Sequence, residues 1–313
     1  MLWRNGPAVV IGRHQNPWQE CDLRLMRSRG VPLARRRSGG GTVFHDQGNV
    51  NLTFFTSKKN YDRQRNLRVV TTALQSLRPE LDIRATDRLD ILLNGRYKIS
   101  GTAAKLGRTA SYHHCTLLCS ADRALLSALL KPSCPDIQSN ATASIPSPVT
   151  NLLDEDPTLD PDIILNAVVR QYSTEFGCSG LVRPIDPSDE VMFPGIDKME
   201  EELRSWEWRF GRTPRFSIHT SLELRDDTPP SCVTAALSME VKNGVIERCE
   251  VQVPSHWLPE ELCEEFGSLL VGSRFCPANT AAVAATMLRS VCEGKEVERR
   301  LHQLCQSVIS VMG

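Results

Sequence analysis

Apolar residues along the chain alternate between short runs and helical spacings. Residues 8–11, 50–55 and 91–93 are apolar runs that predict strands. Residues 112–118 alternate like a strand, which puts His114 and Thr116 on one face and His113 and Cys115 on the other. Between these runs, residues 61–77 carry Leu67, Val70, Ala73, Leu74 and Leu77 at helical spacing, stopped by Pro79. Residues 121–130 predict a second short helix, closed by Pro132, and residues 160–176 a third. The polar stretch 135–148, rich in Ser, Thr and Pro, predicts a loop, and residues 178–194 predict a domain boundary. Beyond it, residues 215–224 and 235–253 predict strands around the turn Lys242-Asn243-Gly244, while 258–270 and 281–308 contain helices.

Composition narrows the class. With 313 residues and 41% of them hydrophobic, the chain has apolar material for two domains of ordinary size, which excludes collagen-like, disordered and coiled-coil readings. No apolar stretch approaches the ~20 residues needed to cross a bilayer, and the opening MLWRNGPAVVIG lacks the marks of a secretory signal, so no membrane partner is expected. The eleven cysteines are scattered without a C-x-x-C pair and read as buried or idle thiols rather than metal ligands. The formal net charge of zero hides an asymmetry. Residues 1–108 hold 20 Lys+Arg against 8 Asp+Glu, leaving 17 against 29 for the rest. The first part should attract anions, whether phosphate ligands, nucleic acid or acidic proteins; a solvated arginine-rich face is the plain alternative. No aromatic residue lies among the arginines of residues 24–37, where base stacking would need one, which argues against nucleic acid.

The most informative run is Arg35-Arg36-Arg37-Ser38-Gly39-Gly40-Gly41-Thr42-Val43-Phe44-His45-Asp46. Successive glycines let main-chain N–H groups approach an anion closely, and the arginines before them supply charge, so phosphate or carboxylate is the natural guest. It is neither a Walker loop nor the spaced-glycine dinucleotide fingerprint. In a second run, Lys98 follows a polar turn and precedes Ser100-Gly101-Thr102-Ala103, a setting that allows its ammonium to point into a cleft. The third run is the alternating stretch that carries His113 and His114.

These runs, RRRSGGGTVFHDQGNVN, then KISGTAAK, then HHCTLL, in this order, resemble the lipoate-protein ligase A family and, within it, the mitochondrial lipoyltransferases of animals. The resemblance extends through VVIGRHQNPWQE at 9–20, SNATAS at 139–144 and WEWRFGRTPRF at 206–216, and so covers nearly the whole chain. It implies an α/β fold of the α+β type. Residues 1–185 would form a biotin/lipoate ligase-like catalytic domain, a mixed sheet flanked by helices, and residues 186–313 a small C-terminal accessory domain. Lipoyl-AMP would be the substrate, with no tightly bound cofactor and no metal, and the product an amide on a specific lysine of a lipoyl domain. The partners implied are lipoyl domains of 2-oxo acid dehydrogenase E2 subunits and the glycine cleavage H protein, met by a monomer in the mitochondrial matrix.

Carried over residue by residue, the resemblance puts Lys98 at the carbonyl and phosphate oxygens of lipoyl-AMP, and Phe44 with the Val43 backbone at the adenine. Arg36, Ser38, Gly39, Gly40, Gly41 and Thr42 belong to the acid- and phosphate-binding loop, and His114 falls near the lipoyl chain. Asn49, Arg88, Asp90, Thr102, Ala103, Thr116 and Thr142 complete the implied contacts. Two departures matter. Bacterial ligases that make their own lipoyl-AMP have Asn-Asp where this chain has Leu89-Asp90, and leucine offers no oxygen to Mg²⁺, so a transferase using a preformed acyl donor is expected. A further strand and helix and a presequence that family members carry before the segment starting at Leu2 are not seen, so localisation rests on the resemblance. The alternatives are an ATP-dependent lipoate-protein ligase, an octanoyltransferase working through a thioester on Cys115, and a carrier-binding module without activity.

Overall fold

The computed structural model describes residues 1–134, 136–179, 181–225, 232–290 and 294–313. Pro135 of the expected loop, residue 180 of the expected boundary, and residues 291–293 of the last expected helical stretch, Cys292 among them, lie outside the described residues. The chain divides into two compact units, each assembled from three stretches. Met1–Arg13, Val31–Leu129 and Ser144–Leu203 form the first, and His14–Gly30, Leu130–Ala143 and Arg204–Gly313 the second. Position 185/186 falls inside the stretch Ser144–Leu203.

The first unit holds the strands β1 (Leu2–Arg4), β2 (Ala8–Ile11), β3 (Leu33–Arg35), β4 (Val43–His45), β5 (Asn49–Ser57), β6 (Ile83–Ala85), β7 (Ile91–Leu93), β8 (Tyr97–Ser100), β9 (Thr102–Leu106) and β10 (Ala110–Leu118). The largest sheet runs β1-β5-β10-β9 with every neighbour antiparallel. A second, β3-β2-β4, pairs β2 parallel to β3 and antiparallel to β4, and β6-β7-β8 form a third. Alternation sorts the large sheet's residues between two faces. Val50, Leu52 and Phe54 of β5, with Cys115 and Leu117 of β10, share one core cluster with Leu67, Val70 and Leu74 of the helix Arg63–Leu77 and with Ile164 and Val168 of the helix Pro161–Phe176. Both helices have side-chain caps. Asp62 accepts from the Arg65 amide at 2.8 Å, and Asp160 accepts from the Asp162 amide at 2.7 Å, with Pro161 opening that second helix and Gly177 ending it at φ +64°.

The second unit contains the antiparallel sheet β11 (Ile137–Ser139), β12 (Phe216–Arg225), β13 (Cys232–Lys242) and β14 (Val245–Gln252). Asn243 and Gly244, at φ 52° and 72°, form the two-residue turn expected between β13 and β14. The helices Glu260–Leu270, Pro277–Ser290 and Lys295–Val311 belong to the same unit, and Trp18 packs there against Phe210, Phe216 and Phe275. No helix among the described residues is long and apolar enough to cross a membrane.

Candidate active site

The triglycine loop joins β3 to β4, and the arginines before it are its framework. Arg35, 2% exposed, donates Nη1 to the carbonyl oxygens of Gly12 and Arg13 at 3.4 and 3.0 Å. Arg36 makes four hydrogen bonds to carbonyl oxygens: Nη1 to Val10 at 3.0 Å, Nε and Nη2 to Gly39 at 3.2 and 2.7 Å, and Nη2 to Gly41 at 2.6 Å. Burial lowers its pKa to about 10, so it still carries its charge at neutral pH. The loop's carbonyl side is thus tied down on a cation. Its other side is open: the amides of Gly39, Gly40 and Gly41 donate to no acceptor among the described residues. Consecutive open amides beside a half-buried guanidinium are an arrangement that can cradle an anion. Gly40 is required by its φ of +84°, and Gly12 by contact, because a Cβ there would lie 2.0 Å from the Gly40 carbonyl oxygen.

The loop lies over one end of the large sheet. A Cβ on Gly40 would stand 3.3 Å from Ala103 Cβ and 3.7 Å from the Thr102 carbonyl oxygen. Ser38 Oγ and His114 Nε2 are 2.6 Å apart, and His114 is the cross-strand partner of Ala103. Thr42 is held from the other flank, its amide donating to Ser144 Oγ at 2.8 Å. Burial, the Arg36 charge and the neighbouring His113 and His45 push the His114 pKa down to about 4, so its imidazole is neutral at pH 7.

Lys98 comes to the same place from β8. A Cβ on Gly101 would meet Lys98 Cε at 3.2 Å and Nζ at 3.5 Å. Gly101 is tied to β10 in turn, its amide donating to Thr116 Oγ1 at 3.3 Å and its carbonyl accepting from the Thr116 amide at 3.1 Å. Lys98 Nζ pairs with Asp90 Oδ1 at 2.8 Å. An ammonium has three donors, so this pair leaves two for a ligand. Asp90 ends a tight turn in which Leu89, 8% exposed, sits at φ +66°, a left-handed conformation that a leucine pays for in strain.

The structure therefore brings Arg36, Ser38, the three glycines, Thr42, Asp90, Lys98, Thr102, Ala103, His114 and Thr116 together. Other implied residues stand differently. Phe44 is 2% exposed and paired to Val9, so its ring belongs to the packing under β4 and its strand presents backbone at a sheet edge. Asn49 is fully buried at the start of β5. Arg88 is exposed on the Leu89 turn, and Thr142 belongs to the second unit, where its amide donates to the His14 carbonyl oxygen at 3.1 Å. The sequence shows Arg35 only as one of three charges and gives no sign of the loop-shaping roles of Arg35 and Gly12, nor of His45, 7% exposed with its pKa lowered to about 4 by burial and then by Arg36. Cys115 faces the core, 1% exposed, and burial raises its thiol to about 12, which leaves essentially no thiolate at pH 7 for a thioester route.

Residues 1–176 match the family described as the lipoyl protein ligase A/B catalytic domain. The chain belongs to this family. It is 50% identical over 311 residues to the human mitochondrial lipoyl amidotransferase LIPT1, covering 99% of this chain and 83% of that protein. Among solved structures, P. falciparum LipL1 in complex with lipoate shares the fold at TM-score 0.59 and 22% identity, over 97% of this chain and 86% of that one. A bipartite lipoate protein ligase from Thermoplasma acidophilum, described with its E2 lipoyl domain, aligns at TM-score 0.56 and 25% identity over 66% of this chain and 82% of its own. The biotin/lipoate ligase type of α/β fold is thereby established, with the mixed sheets and flanking helices described above.

Proposed function

We propose that this chain moves the acyl group of lipoyl-AMP onto a lysine of a lipoyl domain, with Lys98 serving the reacting centre. The chain is a mitochondrial lipoyl transferase, as its kinship at 50% identity indicates. The observation that carries the site assignment is the convergence of Lys98, the triglycine amides and His114 on one face of one sheet. Residues 1–185 are assigned the catalysis and residues 186–313 the accessory role.

The chemistry follows from the substrate. An acyl adenylate is already activated because AMP is a good leaving group, so the protein's task is to position it, keep water out and stabilise charge growing on the carbonyl oxygen. The open amides of Gly39 to Gly41 suit the phosphate, and the Arg36 charge beneath them adds attraction. The two donors of Lys98 not engaged by Asp90 suit the carbonyl oxygen and a phosphate oxygen together. The acceptor lysine's neutral amine attacks the carbonyl carbon, the bond to the phosphate oxygen breaks, AMP departs with that electron pair, and the nitrogen gives up one proton to solvent. The neutral imidazole of His114, bonded to Ser38, adds no charge beside the acyl chain.

Acceptors are assigned as lipoyl domains of 2-oxo acid dehydrogenase E2 subunits and the glycine cleavage H protein, drawn in by the 20 basic against 8 acidic residues of positions 1–108. A preformed donor is favoured over free lipoate with ATP because Leu89 offers no oxygen to a magnesium ion. The test gives the purified chain a lipoyl domain with either lipoyl-AMP or lipoate plus Mg-ATP. Efficient transfer from the first and weak AMP release from the second is expected; equal turnover with both would sink the donor assignment.

A further inference from the structure

On the face of β5 that turns away from the core, Asn51 lies opposite Trp3 of β1 on one side and Thr116 of β10 on the other. It is 3% exposed. Asn49 Nδ2 donates to Asn51 Oδ1 at 3.1 Å, which leaves Asn51 Nδ2 and Asn49 Oδ1 buried without a partner among the described residues. His45 Nε2 is a third such atom. That ring is held at 2.9 Å through Nδ1 by Asn5, two residues beyond Trp3. A buried amide left unsatisfied is costly, and each one calls for an explanation, such as something that binds there. The core face also buries an unpartnered atom, His113 Nε2, but that ring is stacked on Phe54 and its other nitrogen lies 3.2 Å from Asn66 Nδ2. Asn51 instead stands in one row with Thr116, Gly101 and Lys98.

We propose that Asn51 is a specificity-determining residue that reads the sulfur-bearing ring at the end of the acyl chain. Its Nδ2 donates to a dithiolane sulfur, a weak acceptor, whereas the methyl end of an octanoyl chain accepts nothing and leaves the amide unpaired. The inference rests on the assignment of Lys98 to the carbonyl end. From Gly101, beside Lys98, to Asn51 is two strand spacings, about 10 Å, and an extended eight-carbon acyl chain covers a comparable distance. Asn51 is thus placed to meet the far end of the chain rather than the nucleotide.

The test measures kcat/KM of the full chain with lipoyl-AMP and with octanoyl-AMP on one lipoyl domain, for the unaltered protein and for Asn51→Leu, which keeps the branched shape and the number of heavy atoms and removes both polar atoms. The lipoyl-to-octanoyl ratio should fall about tenfold. Both rates come from one preparation, so any loss of folded protein cancels in the ratio; if Asn51→Leu does not fold, Asn51→Ala supplies the same comparison. An unchanged ratio overturns the role of Asn51 while leaving Lys98 untouched. If the unaltered chain transfers neither acyl group, the assignment of Lys98 falls and this inference falls with it.

Discussion

The two faces of the β1-β5-β10-β9 sheet are made by alternate residues of the same strands, and they serve opposite ends. Val50, Leu52 and Phe54 close onto helices and contribute stability; Asn49, Asn51 and Thr53 are as deeply buried yet polar, beside His114 and Thr116. His113 and His114 differ by one position in the chain and fall on opposite faces, one stacked on Phe54, the other bonded to Ser38. Burial alone therefore does not separate core from site. What separates them is whether the buried groups stand in line with Lys98 and the open amides.

Acid should affect both faces at once and most strongly. Burial holds His45, His113 and His114 near pKa 4, against an ordinary 6.5. Between these values the unfolded chain binds up to three more protons than the folded one. The stability from keeping these rings neutral is thus present above about 6.5 and is lost as pH falls toward 4, on the order of several kcal/mol in total. Urea unfolding at a series of pH values checks this, and a flat profile across that window would contradict the burial described for the three rings.

A pair of adjacent substitutions tests the faces against each other. Leu52→Ala should cost about 2–5 kcal/mol of unfolding free energy, whereas Asn51→Leu, which opens no cavity but strands the Asn49 Nδ2 that donates to Asn51 Oδ1, should cost less, about 1–3 kcal/mol. Equal losses, measured by denaturant midpoints, would mean that β5 is structural on both sides. The smallest effect is expected from Ser38→Ala. It removes one hydrogen bond to His114, about 1 kcal/mol, and should show as a drop of several-fold in kcat/KM with lipoyl-AMP and a minor shift in melting temperature.

The long elements are legible in the sequence because they carry a period. The helix Arg63–Leu77 repeats its apolar residues up to Pro79, and β10 alternates from Ala110 to Leu117, so the opposite placement of His113 and His114 follows from the order of residues alone. The strands β1, β3, β4 and β6 are three residues each, too short for any period, and the helix Ile196–Arg204 buries no residue. The triglycine loop is legible as a candidate anion site. The bonding of Arg36 to the loop's carbonyl oxygens is not, since the sequence records its charge and neighbours but not which oxygens lie within 3 Å of a guanidinium. Asn51 is half legible: Asn49-Val50-Asn51-Leu52-Thr53 alternates strictly, but only the pairing of the two amides shows which atoms remain open.

The proposed action of Lys98 at the carbonyl and phosphate oxygens of lipoyl-AMP is open to one direct test. A single-turnover experiment with excess enzyme, lipoyl-AMP and a lipoyl domain, followed by the mass gain of the domain, tests it for the unaltered chain and for Lys98→Ala. The rate is expected to be lower by about 10²–10³ in the variant. A Lys98→Ala rate within a few-fold of the unaltered chain, with the protein folded, would contradict it.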